Sequence, residues 1–150
     1  MKIVVDAMGG DFAPKEQVKG TVEALKNDKE LFAVLCGDEE ILKKELSAYT
    51  YDSSRVEIVH APEVITNDEI PTKAVRTKKD SSTVTAFRLL KEGKADAVVS
   101  SGATGAVLTA GLRLAESRAF PAPRSAPESP IFRGAARCFA TAERTSNAKA

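Results

Sequence analysis

Ala97-Val98-Val99-Ser100-Ser101-Gly102-Ala103-Thr104-Gly105-Ala106-Val107-Leu108 is an apolar run that passes through a turn of small residues into a helical pattern. A strand feeding a helix in this way is one half of a βαβ unit, so this stretch predicts an α/β fold with a mainly parallel sheet. It also marks a place where an anion can bind. The first N–H groups of a helix have no intrahelical acceptor, and the macrodipole favours negative charge at that end. Gly102 and Gly105 allow an oxygen-rich group to approach the backbone closely, and Ser100, Ser101 and Thr104 are potential hydroxyl donors. A tight strand-to-helix turn with no ligand explains the same residues, and the stretch alone leaves both readings open.

Upstream, β-rich runs and helical patterns alternate. Lys2 to Val5 reads as the first strand, and Pro14 stands at the first position of a helix whose Val18, Val22 and Leu25 form an inward stripe. Leu31 to Cys36 reads as the second strand, ended by Gly37. Asp38 is an N-cap candidate, Glu39 and Glu40 suit a first helical turn, and Leu42, Leu46 and Tyr49 mark the apolar face that follows. Arg55 to His60 reads as the third strand. Pro71 opens a short helix to about Thr77, and a longer one starts near Ser81 with Val84, Phe87 and Leu90 inward and Gly93 at its end. Ala97 to Ser100, the fourth strand, is apolar enough to expect cover on both faces.

The chain has 150 residues, 43% hydrophobic and 29% charged, enough for one ordinary globular core. A net charge of +1 and the lack of basic runs interleaved with aromatics argue against nucleic-acid binding. Cys36 and Cys138 are too far apart for a metal-ligand spacing and suggest no disulfide framework, which suits a reducing compartment. Cys36 follows Ala33-Val34-Leu35 and reads as a buried strand residue. The start reaches Asp6 after three apolar residues, which does not suit a signal-peptide core, and Ala97 to Leu112 is too short and too polar for a membrane span. A cytoplasmic protein is the expectation.

The composition changes near Arg113. Before it stand twelve Lys and three Arg; from it onward there are six Arg, one Lys, ten Ala and four of the seven prolines. Residues 1–112 carry −3 (15 basic, 18 acidic) and residues 113–150 carry +4 (7 basic, 3 acidic), so the near-neutral total conceals a basic tail. Phe120 to Pro130 has no helical or strand period, and its prolines interrupt backbone pairing. The expected organisation is an α/β part over 1–112 and a divergent, disordered Arg/Ala/Pro-rich segment over 113–150. Such a tail either touches acidic surfaces or is simply solvated.

Open parallel sheets place their sites at the carboxyl ends of strands. The first strand is followed by Asp6-Ala7-Met8-Gly9-Gly10-Asp11, the third by His60-Ala61-Pro62-Glu63, and Lys78-Lys79-Asp80-Ser81-Ser82 precedes the long helix. Lys79 suits an anion partner, while Asp80, Ser81 or Ser82 caps a second phosphate-friendly helix start. Ordinary capping beside a solvated lysine pair is the alternative. Gly9 and Gly10 also suit a positive-φ turn, Asp11 a helix cap, and the lone His60 a hydrogen-bonded structural role. Walker spacing and the three-glycine dinucleotide fingerprint are absent, and two acids five apart are weak grounds for magnesium. These residues by themselves lead to a phosphate-containing ligand.

Several blocks in register carry a more specific resemblance. Val5-Asp6-Ala7-Met8-Gly9-Gly10-Asp11 with Ala13-Pro14, Gly37-Asp38-Glu39, Ile58 to Ile65, Lys78 to Ser82 and Lys91 to Ala106 together resemble the amino-terminal part of the bacterial phosphate acyltransferases of the PlsX family, over about residues 1–112. The resemblance implies an acyltransferase of phospholipid synthesis that moves a fatty acyl group from acyl carrier protein to inorganic phosphate. It implies a three-layer αβα fold related to isocitrate and isopropylmalate dehydrogenases and to phosphotransacetylases, here incomplete, and usually a homodimer. No cofactor and no metal are expected, and peripheral membrane association is compatible with such a role.

Phosphate is itself the nucleophile in that reaction, so the protein need only hold it against the thioester carbonyl and stabilise the oxyanion. The candidates for catalysis are Lys79, Asp80, His60 and Asp6. Those for phosphate or substrate binding are Gly9, Gly10, Asp11, Ser81, Ser82, Ser100, Ser101, Gly102, Thr104 and Gly105. Family members run longer than this chain, and the Arg/Pro/Ala segment departs from their pattern, so a truncated or frame-shifted reading is expected. The alternatives are a phosphotransacetylase-like enzyme using acyl coenzyme A, and a non-catalytic fragment or interaction module whose unpaired sheet edge favours association.

Overall fold

The structure, a computed structural model, describes residues 1–117. Its elements alternate as expected: β1 (Lys2–Asp6), α1 (Lys15–Asn27), β2 (Phe32–Gly37), α2 (Glu39–Leu46), a single 3₁₀ turn (Ser53–Arg55), β3 (Val56–His60), α3 (Pro71–Thr77), α4 (Ser82–Lys91), β4 (Ala97–Ser100) and α5 (Thr104–Ser117). The four strands are all parallel, in the order β3-β2-β1-β4. The chain therefore walks outward from β1 to β3, then returns across the sheet to place β4 on the other side of β1.

That reversal determines the layers. Right-handed crossovers put the connections of an outward walk on one face and those of a return on the opposite face. Accordingly α1 and α2 pack Val18, Val22, Leu42 and Leu46 against Leu35 and Ala7, with Val5 and Ile58 beside them. On the other face α4 lays Ala86 and Leu89 over Val4, Val34, Cys36 and Val98. α3 and α5 pack on α4 through Ala74, Val75, Ala106, Ala110, Val84 and Phe87. The result is three layers, αβα. Among the described residues no helix is long and apolar enough to cross a membrane.

Local chemistry explains most boundaries. Asp38 caps α2, its Oδ1 accepting from the N–H groups of Glu40 and Ile41 at 3.0 Å each. Gly93, at φ +70°, ends α4 in the left-handed conformation. The strands start or stop within one residue of the expected limits, β1 extending to Asp6 and β2 shifted to Phe32–Gly37.

Four expectations need correction. Pro14 is the residue before α1 and not its first helical position, and the Ala13–Pro14 peptide is cis. Tyr49 lies beyond α2, though it still packs on that core cluster. The buried face of α4 is Ser82, Thr83, Thr85 and Ala86; Val84 and Phe87 turn instead toward α3 and α5, because α4 is wedged between the sheet and that second pair of helices. β4 is covered on one face only: Val99 is 48% exposed, since α1 lies over β1 and β2 and no described helix reaches across it. The expectations for Cys138 and for the proline-rich stretch lie outside the described residues, and α5 itself runs past the composition change to Ser117.

Candidate functional site

Strand order reverses between β1 and β4, and the carboxyl ends of the strands at such a reversal are the position where open α/β sheets bind ligands. Asp6 and Ser100, each the last residue of its strand, are paired in register there. Asp6 is fully buried. Its Oδ2 accepts from Ser100 Oγ at 2.8 Å and from Thr83 Oγ1, in the first turn of α4, at 2.7 Å, while Oδ1 is buried without a partner. Ser100 Oγ in turn accepts from the Gly102 N–H at 3.1 Å. One carboxylate thus ties β1, β4 and α4 together and sets the backbone of the glycine turn.

The two turns after β1 and β4 touch. A Cβ on Gly9 would lie 2.8 Å from Asp6 Oδ2 and 2.9 Å from both Cα and N of Gly102, so the turns pass closer than any side chain permits. Gly10 follows at φ +107°, a conformation open essentially to glycine. Ser101 Oγ donates to the Gly9 carbonyl at 2.9 Å, and the Gln17 side chain reaches both groups from α1. Beyond this junction, Gln17, Thr21, Ser101 and the exposed Val99 line an open cleft of about 350 Å³ on the α1 side of β4.

Counting hydroxyl protons sorts the candidates. A serine or threonine hydroxyl has one proton to donate. Ser100 gives its proton to Asp6, Ser101 to Gly9, Ser81 to the Lys78 carbonyl and Thr83 to Asp6. None of these four has one left for a ligand. Thr104, exposed at the start of α5, donates to nothing among the described residues, and neither do the N–H groups of Ala103, Thr104 and Gly105; the first bonds of the helix run from Ala106 and Val107 to the Ala103 carbonyl. At the head of this 14-residue helix the Thr104 hydroxyl and the Ala103, Thr104 and Gly105 amides therefore have no acceptor among the described residues. Gly105 has a packing role as well: a Cβ there would meet Pro71 Cγ at 2.6 Å, where α5 crosses α3.

The start of α4 is more fully occupied. Ser81 caps it, accepting from the Val84 N–H at 3.3 Å, and the Glu63 carbonyl accepts from the Ser82 N–H at 3.0 Å. Ser82 Oγ is buried with no partner. Asp80 is exposed, 3.7 Å from Arg88, and Lys79 is exposed with no side-chain partner among the described residues. His60 ends β3, with β2 between it and β1, and its Nδ1 accepts from the Glu39 N–H at 3.3 Å at the start of α2. Asp11 is exposed and caps nothing, for no side chain caps α1. Asp6, Gly9, Gly10, Ser100, Ser101 and Gly102 thus share one junction, with Thr104 and Gly105 continuing from it into α5. The Lys79–Ser82 group heads the neighbouring helix.

Sequence reading passed over two members of the junction, Thr83 and Gln17. Thr83 follows two serines that look like sufficient caps, and Gln17 stands among charged, solvent-facing residues of α1. Neither has a local signal: Thr83 is recruited by Asp6, 77 residues away, and Gln17 by the Gly9 turn together with Ser101, 84 residues away. Cys36 is buried beside this site. Burial first, and then the nearby Asp6 charge, push its thiol up to about 12, so it is not a nucleophile at neutral pH. Among the described residues no three His, Cys, Asp or Glu side chains gather as a metal-ligand set.

The family described as fatty acid synthesis protein matches residues 1–138. The chain belongs to that family. It is 53% identical over 112 residues to the phosphate acyltransferase of Clostridioides difficile (strain 630), covering 75% of this chain and 33% of that protein. To the phosphate acyltransferase of Dictyoglomus turgidum (strain DSM 6724 / Z-1310) it is 55% identical over 112 residues, with the same coverage. With the phosphate acyltransferase of Alkaliphilus oremlandii (strain OhILAs) the match extends over 135 residues at 44% identity, covering 89% of this chain and 40% of the relative. The likeness thus reaches further than residue 112, the limit set by the sequence blocks. This family member spans between a third and two fifths of the length of these relatives.

Proposed function

We propose that this chain supplies the phosphate-holding wall of a phosphate acyltransferase site, transferring an acyl group from acyl carrier protein to inorganic phosphate. The observation that carries the reading is the set of donors at the head of α5 that have no acceptor among the described residues, held at the carboxyl ends of β1 and β4 by the Asp6–Ser100–Gly102 chain of hydrogen bonds. Relatives named phosphate acyltransferase support it.

In this reading the Ala103, Thr104 and Gly105 amides and the Thr104 hydroxyl bind phosphate, with Lys79 at the neighbouring helix start adding charge. A phosphate oxygen attacks the thioester carbonyl, the C–O bond forms as the C–S bond breaks, and the proton that the attacking hydrogen phosphate gives up ends on the departing thiolate. Acyl phosphate and free carrier thiol result. Catalysis here is positioning together with electrostatic stabilisation, and no enzyme nucleophile is consumed. His60, Asp80 and Asp11 stand outside the junction and have no assigned step. Residues 1–112 form the α/β part of the enzyme in this reading. The active protein is a cytoplasmic homodimer that approaches the membrane peripherally.

The test is phosphate-dependent acyl phosphate formation, trapped with hydroxylamine, from acyl carrier protein thioester and separately from acyl coenzyme A. Turnover with the carrier-protein thioester supports the reading; preference for acyl coenzyme A replaces it with a phosphotransacetylase-like one. If inorganic phosphate leaves the amide resonances of residues 102–105 unmoved, the site assignment fails whatever the donor.

A further inference from the structure

Gln17 lies on α1, eight residues from Gly9 and 84 from Ser101, yet its amide bridges the two. Nε2 donates to the Gly9 carbonyl at 2.6 Å and to Ser101 Oγ at 2.9 Å, and Ser101 Oγ donates to the same carbonyl at 2.9 Å. The three groups close a triangle. The amide orientation is dictated by chemistry: turned over, Gln17 would set its carbonyl oxygen against that of Gly9, acceptor against acceptor. Its Oε1 is buried and has no partner, so the side chain is held for the sake of its two N–H bonds. Gly10 fits the same geometry, since a Cβ there would meet Ser101 Oγ at 2.9 Å and Gln17 Nε2 at 3.1 Å.

The consequence for Ser101 is specific. Because Gly9 takes its proton and Gln17 donates to its oxygen, the hydroxyl has no proton left for a ligand, and the residue preceding Gly102 is anchored to α1 and to the β1 turn. Asp6 holds the turn from inside the sheet through Ser100; Gln17 holds it from the cleft side through Ser101. We propose that Gln17 is a positioning residue that acts through Ser101 to fix the turn presenting the amides of residues 103–105 to phosphate. The proposal rests on the phosphate site described above.

The experiment titrates the 150-residue chain with inorganic phosphate, following the amide resonances of residues 102–105, for the wild type, Gln17→Met, Ser101→Ala and the double variant. The expected result is roughly tenfold weaker phosphate binding in Gln17→Met, the scale of two modest hydrogen bonds lost. The double variant should be no weaker than the product of independent effects and close to the worse single one, because the two residues form one unit.

Gln17→Glu supplies a readout that general loosening would not move, and it serves also if Gln17→Met does not fold. Its carboxylate opposes the Gly9 carbonyl, whereas its protonated form can donate to it. The ratio of variant to wild-type affinity, taken at each pH so that the titration of phosphate cancels, should therefore recover toward unity as pH falls through the glutamic acid range. If wild type and Gln17→Met bind phosphate equally, or the Gln17→Glu ratio is flat with pH, the positioning role is overturned while the site stands. If the wild type does not bind phosphate, both fall together.

Discussion

Replacing Gly9 by alanine tests the junction between the β1 and β4 turns most directly. Its new Cβ would lie 2.9 Å from the Cα and N of Gly102 and 2.8 Å from Asp6 Oδ2. Relaxed carbon contacts need about 3.5–4.0 Å, so the turns must separate by roughly 0.6–1 Å. The obstructing atoms are backbone and a carboxylate fixed by two hydroxyls, so no flexible side chain can swing aside. Overpacking of this kind costs about 1–3 kcal/mol, and the separation also strains the Ser101 and Gln17 bonds to the Gly9 carbonyl, about 1 kcal/mol each. The expected loss is about 3–5 kcal/mol. Gly20, on the exposed side of α1 with nothing within 4 Å of a Cβ, is the internal control: alanine there should stabilise by up to about 1 kcal/mol through helix propensity. Urea unfolding of the purified chain, read as the shift of midpoint at constant slope, measures both. A Gly9→Ala midpoint equal to that of the wild type would refute the close approach of the two turns.

Other perturbations reach the remaining parts of the argument. Asp6→Asn should keep both hydroxyl bonds, with its amide oxygen in the place of Oδ2, whereas Asp6→Ala strands the Thr83 and Ser100 hydroxyls and should cost about 2–3 kcal/mol in the same unfolding assay; equal losses would show that hydrogen-bond acceptance is not the role of Asp6. Cys36 should resist iodoacetamide at pH 8 in the native chain and react once urea unfolds it, and peptide mapping that found Cys36 rapidly labelled in the native state would contradict its burial and raised pKa. The Glu69 carboxyl is held below its ordinary 4.5, first by the Lys78 hydrogen bond and then by the Thr66 N–H. A depressed carboxyl stabilises the fold above its unfolded pKa, and that contribution is lost as pH falls through the folded value. Lys78→Met should therefore raise the Glu69 midpoint in a carboxyl-carbon NMR titration, and an unchanged midpoint would remove Lys78 as the cause.

Much of the fold was legible because its signals are local. The alternation of β-rich runs with helical stripes announced βαβ units, Asp38 and Gly93 marked helix ends through their own chemistry, and Ser100 to Gly105 showed a strand running into a helix start. What misled was facing direction. Val84 and Phe87 are apolar at helical spacing, but period alone does not say which of two apolar neighbours a stripe meets, and α4 has the sheet on one side and α3 with α5 on the other. Val99 looked like a fully covered strand residue because composition reports preference for burial and not what is available to bury it.

The candidate site divides in the same way. Sequence by itself determined the residue types at the strand ends, the small residues that let two turns meet, and a family likeness spread over several blocks, since each depends on order along the chain. Only the tertiary structure decided which hydroxyls still have a proton to give. Ser100, Ser101 and Thr104 are alike as serine and threonine in a turn, yet Asp6 from β1 and Gly9 with Gln17 from the β1 turn and α1 engage the first two and leave the third open. Hydrogen-bond partners 84 to 94 residues away leave no trace in local pattern, because a hydroxyl's proton goes to whichever acceptor the fold brings within reach.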